Sequence, residues 1–159
     1  MEPIPVHGYV EFAERLFEER GKHVSRELVE QVYGMFDGCT WFVQMMMNEL
    51  FALTGHDEIC DVKKLEEARI NVILLQEASY KDLLSRLAPK QKLLLQAIAK
   101  ERLVKGITSS AFIKKYNLSS ASSVQAALKP LLKNDIVTQN DDAYRVYDYF
   151  FSEWLANNY

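Results

Sequence analysis

Cysteine is scarce in this sequence. Only Cys39 and Cys60 occur in 159 residues, too few for a disulfide framework, so a reducing, cytoplasmic setting is expected. Six glycines and four prolines supply too few turn formers for an all-β sandwich. No apolar run approaches the ~18 residues of a membrane span, because Gln44 and Asn48 interrupt the best candidate. The N-terminus shows no basic-then-apolar run with a small-residue cleavage site, so neither secretion nor membrane association is expected. His7, His23 and His56 form no i,i+4 pair and neither cysteine sits in a Cys-x2-Cys pair, which predicts no metal site. No Gly-x-Ser-x-Gly elbow is present. A phosphate loop is missing too: Gly21-Lys22 has Leu16, not glycine, five residues before Gly21. Without that loop there is no backbone cradle, phosphate lysine or magnesium-binding hydroxyl. No hydrophobic strand ends in paired acids. The expectation is a chain with no catalytic residues of its own.

What is present is a globular composition, 48% hydrophobic and 26% charged, with its charge unevenly placed. Residues 1–87 carry nine Lys/Arg against sixteen Asp/Glu, and residues 88–145 carry ten against four. An acidic segment joined to a basic one suggests two modules with different partners.

Helical spacing dominates the first half. Tyr9, Phe12, Ala13, Leu16 and Phe17 predict an amphipathic helix over 9–20, closed by Gly21. Ser25 is placed to cap a second helix carrying Leu28, Val29, Val32, Tyr33 and Phe36, which Gly38 ends. A third helix has Trp41, Met45, Asn48 and Phe51 on one side and Phe42, Met46, Leu50 and Leu53 on another, which predicts burial by several neighbours, with Met45, Met46 and Met47 as core filling. Asp61 can cap a further helix running toward Leu87, with a break expected near Ser79, and Pro89 opens the next. These signals divide the chain into a helical subdomain over 1–60, a connecting helical segment over 61–88 and a third part over 89–159.

That third part has its own rhythm. Helices are predicted at 89–102, 108–116 and 120–133, with Asn117-Leu118-Ser119 as the turn between the last two. Ile136-Val137-Thr138, a turn over 139–142, and residues 143–147 read as a β-hairpin, and an aromatic helix from Tyr149 follows. This order is that of a winged helix-turn-helix. Pro130 predicts a kink near Ala126–Lys129, or a helix ending there.

Leu87-Ala-Pro-Lys-Gln-Lys92, Leu95-Gln-Ala-Ile-Ala-Lys-Glu101, Leu118-Ser-Ser-Ala-Ser-Ser-Val-Gln125 and Tyr144-Arg-Val-Tyr-Asp148, with Phe151 and Trp154, resemble the C-terminal region of archaeal-type AAA+ P-loop ATPases. Gly38-Cys-Thr-Trp-Phe-Val-Gln44 looks like the motif of the helical lid that precedes the winged helix in that group. The resemblance covers nearly the whole chain and is strongest over 87–154. It implies a mainly α fold, a helical lid-like bundle followed by a winged helix with a small hairpin. It also implies an ATPase core upstream in a longer protein, where ATP and magnesium would bind and Gly38, Thr40 and Trp41 would approach the nucleotide. The function it implies is a non-catalytic regulatory region coupling nucleotide state to a DNA or protein partner. A stand-alone winged-helix transcription regulator, with residues 1–60 as a ligand or dimerisation module, is the alternative.

The helix at 120–133 is the candidate reader of a duplex. Ser120, Ser122, Ser123, Gln125 and Lys129 fall on its outer positions, small or hydrogen-bonding enough for close approach to base edges. Lys114, Lys115, Lys133 and Arg145 are candidates for phosphate contacts. Asp141 and Asp142 at the hairpin tip oppose this with like charge. Contact with DNA and docking to a protein both stay open on these residues. Four lysines neutralising four phosphates would give a slope of log K against log salt of about -3.6.

Overall fold

The computed structural model describes residues 4–159. The chain forms two compact units, Met1–Leu75 and Gln76–Tyr159.

The first unit begins with α1 (Val6–Glu18), which buries Tyr9, Val10, Ala13 and Phe17. Gly21 ends it with φ 69°, and Lys22 N–H donates to the Phe17 carbonyl at 2.9 Å. After β1 (His23–Val24), the Ser25 hydroxyl accepts from Leu28 N–H and starts α2 (Arg26–Met35), the predicted cap. In α3 (Thr40–Leu53), Phe42, Val43, Met46, Met47 and Leu50 are buried. The expected burial on several sides is not found, since Gln44 and Asn48 are exposed and Trp41 is 68% exposed. Apolar residues at i, i+4 and i+8 need only one face of the helix, and at 100° per residue Trp41 falls on the opposite, solvent side with Gln44 and Asn48. Two lysines close the other end. Lys22 Nζ donates to the Phe51 carbonyl at 2.8 Å, and Lys64 Nζ donates to the Leu53 carbonyl at 3.1 Å, placing cations at the negative end of the helix dipole.

β2 (Ile59–Cys60) runs parallel to β1, pairing His23 with Ile59 and Val24 with Cys60. Strands of two residues leave no alternation to read in a sequence. Cys60 is fully buried, and burial pushes its thiol pKa up, the environment of an unreactive cysteine. Asp61 accepts from Lys63 N–H and caps a short turn, Val62–Lys64, that leads into α4 (Leu65–Ser85). α4 shows no break at Ser79, because Val72, Tyr80 and Leu84 each find a buried place along one continuous helix.

The second unit contains the end of α4, α5 (Pro89–Glu101), β3 (Val104–Lys105), α6 (Ser110–Tyr116), α7 (Ala121–Lys133), β4 (Val137–Asn140), β5 (Ala143–Val146) and α8 (Tyr149–Asn158). Its core is formed by Leu94, Leu95, Ile98, Leu131, Phe150 and Leu155, each at most 1% exposed. The hairpin is antiparallel, pairing Val137 with Val146 and Asn140 with Ala143. Its loop is shorter than expected, only Asp141 and Asp142, because Gln139 and Asn140 extend β4. Asp141 adopts φ 55°, a conformation that aspartate tolerates better than most residues. β3 is a third strand that the sequence pattern did not show, and it gives the sheet order β3-β5-β4. Tyr80 stacks on Phe151 at 4.9 Å and meets Trp154 at 5.7 Å, while Trp154 Nε1 donates to Glu77 at 3.2 Å.

α7 decides against one of the two alternatives expected at Pro130. It does not end near Lys129 but continues through Pro130 to Lys133. Proline there removes one intrahelical bond, to the carbonyl of the exposed Ala126, which water can satisfy. Asn134 donates to the Pro130 carbonyl from both its backbone N–H and its Nδ2, each at 3.0 Å, and so closes the last turn.

Candidate nucleic-acid interface

The helix-turn-helix is built by α6 and α7. Ser109 caps α6, its hydroxyl accepting from Phe112 N–H at 3.3 Å. Asn117 ends α6 in left-handed backbone (φ 54°). Ser119 is also left-handed (φ 72°), and buried Leu118 anchors the turn between them. α7 then turns Val124, Ala127, Leu128 and Leu131 inward. At 100° per residue, Ser122, Gln125, Ala126, Lys129 and Lys133 share the opposite face, and all five are exposed.

The predicted contact residues separate into two groups. Lys114, Lys129 and Lys133 are exposed, and no carboxylate pairs with them among the described residues. Ser122 and Gln125 lie on the same outer face as the last two. Ser120 is occupied as the cap of α7, accepting from Ser123 N–H at 3.2 Å, and its hydroxyl lies 3.1 Å from that of Ser122. Ser123 is half-buried. Lys115 is paired with the Glu101 carboxylate, which also accepts from the Tyr116 hydroxyl. Those two bonds hold the Glu101 carboxyl below the usual carboxylate range, and the same carboxylate raises the Lys115 pKa. Arg145 is tied to its own strand end, donating to the carbonyls of Val146 (3.1 Å) and Tyr147 (2.9 Å) with its guanidinium 4.3 Å from the Tyr149 ring centre.

Tertiary packing adds Lys90, which sequence reading did not single out. It lines a depression of about 440 Å³ together with Gln91, Ser120, Ser122, Ser123 and Ala126. No sequence signal could have found it, since Lys90 and Ser122 are 32 positions apart and meet only because α5 packs on α7. The hairpin tip presents Asp141 and Asp142, both exposed.

In the first unit, Gly38 has φ 72°, and a Cβ there would lie 2.7 Å from the Tyr33 hydroxyl. Cys39 takes the cap position of α3 without a side-chain bond, and Thr40 is already helical. Trp41 projects into solvent beside them. Among the described residues no group of three His, Cys, Asp or Glu side chains is arranged to hold a metal ion, and no helix is long and apolar enough to cross a membrane.

No curated protein matches the sequence. A solved structure of a Walker-type ATPase of Pyrococcus abyssi is similar in fold, with a TM-score of 0.69 at 21% sequence identity, over 96% of this chain and 42% of that one. The chain thus spans less than half the length of that relative. The family described as "Probable winged helix domain" matches residues 78–157, the stretch that carries the α6–α7 turn, the three-stranded sheet and α8. By that match over half its length, this chain belongs to the winged-helix domain family.

Proposed function

We propose that this chain is the non-catalytic regulatory region of a larger AAA+ ATPase, and that its winged helix contacts duplex DNA through α7. The first part is supported by the likeness of nearly the whole chain to less than half of a Walker-type ATPase. In the full-length protein, ATP and magnesium bind the upstream core, and Gly38, Thr40 and Trp41 lie near the nucleotide. The observation that carries the DNA reading is the outer face of α7, where Ser122, Gln125 and Ala126 give way to Lys129 and Lys133 without a paired acid. Low side chains let a helix seat in a major groove, and the lysines beyond them hold phosphates.

The test is a salt-dependent duplex titration followed by fluorescence anisotropy. With Lys115 and Arg145 engaged inside the protein, Lys114, Lys129 and Lys133 remain. These three alone would give a slope of log K against log salt of about -2.7, and Lys90 beside α7 brings the expected slope to about -3.6, with Lys90 taking the place that Lys115 held in the sequence reading. Absence of binding at about 50 mM salt overturns the DNA reading. It favours docking against a protein, a reading that the exposed Asp141 and Asp142 also support, since duplex phosphates would repel them. The 159-residue chain by itself should neither hydrolyse ATP nor bind it at micromolar affinity, because it has no phosphate loop. A micromolar dissociation constant for Mg-ATP in calorimetry would contradict this.

A further inference from the structure

The outer face of α7 also carries information about which bases it suits. We infer that α7 reads an adenine–thymine pair, with the Gln125 amide on adenine and the Ala126 methyl on thymine; this rests on the DNA reading above. Both residues are exposed, are adjacent in sequence, and fall within the same outer stripe. The glutamine amide offers one donor and one acceptor side by side, and in the major groove adenine presents the complement, an N7 acceptor and an N6 donor. Guanine presents two acceptors there and cytosine a single donor, so neither satisfies both ends of the amide. Only thymine places a methyl group in the major groove, and Ala126 is the exposed apolar side chain next to Gln125 on this face. Ser122, one turn before Ala126, is also small, so no bulky group holds the backbone away. α7 carries neither an arginine nor an acid between residues 121 and 133, and thus lacks the guanidinium fork for guanine and the carboxylate acceptor for cytosine; lysine, which also binds guanine, occurs there only at Lys129 and Lys133, beyond Gln125. Lys129 and Lys133, one turn apart at the far end of the stripe, are assigned to phosphates and set the register.

The experiment compares three duplexes of equal length with the 159-residue chain at one salt concentration. The first has an A·T core, the second a G·C core, and the third repeats the first with deoxyuridine replacing thymidine in the core. The A·T duplex is expected to bind about tenfold tighter than the G·C duplex, as one good bidentate contact provides. Loss of the thymine methyls should weaken binding about fourfold per methyl buried. Q125A should cut the A·T preference to the share that the thymine methyl carries, Ala126→Gly should erase the thymine-to-uracil difference, and K129A should weaken all three duplexes alike. Circular dichroism of each variant establishes that it is folded, and the uracil duplex tests the methyl contact with no change to the protein. Equal binding to all three duplexes, or a G·C preference, overturns this inference while leaving DNA contact standing. No binding to any of them overturns the DNA reading and this inference with it.

Discussion

Pro130 and Gly38 show how single residues are held in place by their surroundings. Pro130 lies inside α7 with its carbonyl used twice by Asn134, yet its ring position still denies Ala126 a partner. Pro130→Ala should restore that bond and raise stability by about 1–2 kcal/mol, less than the full interior penalty because Ala126 is exposed and water can reach its carbonyl. Urea denaturation of the two forms measures this, and a less stable alanine variant contradicts it. Gly38 needs its positive φ, and an added Cβ would strike Tyr33, whose hydroxyl donates to the Ile4 carbonyl at 2.6 Å. Gly38→Ala should cost at least about 1–2 kcal/mol from handedness alone, read from the same denaturation curves.

Among the elements, α8 starts at the Asp148 cap, and α6 carries the lysine that pairs with Glu101 of α5. The Asp148 carboxylate accepts from Phe150 N–H at 2.9 Å and Phe151 N–H at 3.1 Å. Burial nevertheless raises its pKa, with those two bonds pulling the other way. A carboxyl whose folded pKa lies above its unfolded one binds more protons when folded. Its contribution to stability therefore falls as pH rises from the ordinary value of about 3.9 through the folded value, and the deficit persists above it. Asp148→Asn keeps an acceptor without the charge, so the variant should gain on wild type between about pH 3 and pH 7. Asp148→Ala loses the cap and should be destabilised by about 0.5–2 kcal/mol. Thermal unfolding at the two pH values separates these outcomes. At the end of α5, Glu101→Gln releases Lys115 of α6 for phosphate contact, so the salt slope of DNA binding should steepen by about 1 unit. An unchanged slope would show that Lys115 points away from the duplex.

Along the whole chain, the division between the compact units falls within α4, between Leu75 and Gln76, and the second unit needs the far end of that helix. Glu77 bonds Trp154, and Tyr80 stacks on Phe151. A fragment covering 76–159 should fold and melt cooperatively, with blue-shifted emission from Trp154, which is 3% exposed. A fragment covering 89–159 lacks Glu77 and Tyr80, and its α8 loses a stacked aromatic partner, an interaction of about 0.5–1.5 kcal/mol beyond area burial. Its melting temperature should be lower. Equal melting temperatures would show that the end of α4 contributes nothing to the unit.

Local chemistry was legible along the chain. Ser25, Asp61 and Gly21 are where their side chains or backbone freedom predict, and 3.6-residue spacing located every long helix, because caps and periodicity act over a single turn. The winged-helix order was legible for the same reason, as a sequence of local elements. Contacts between distant segments were not. The pairings of β1 with β2 and of β3 with β5 rest on strands of two residues that carry no pattern of their own. Lys90 beside Ser122, Lys115 held by Glu101, and Trp41 left in solvent all depend on which surfaces come together in three dimensions. The order and faces of the helices can be read from the residues, since they follow from side-chain spacing along one element. Which basic side chains are free to meet a phosphate depends on the folded chain, because a charge is neutralised by whatever carboxylate or carbonyl the fold places against it.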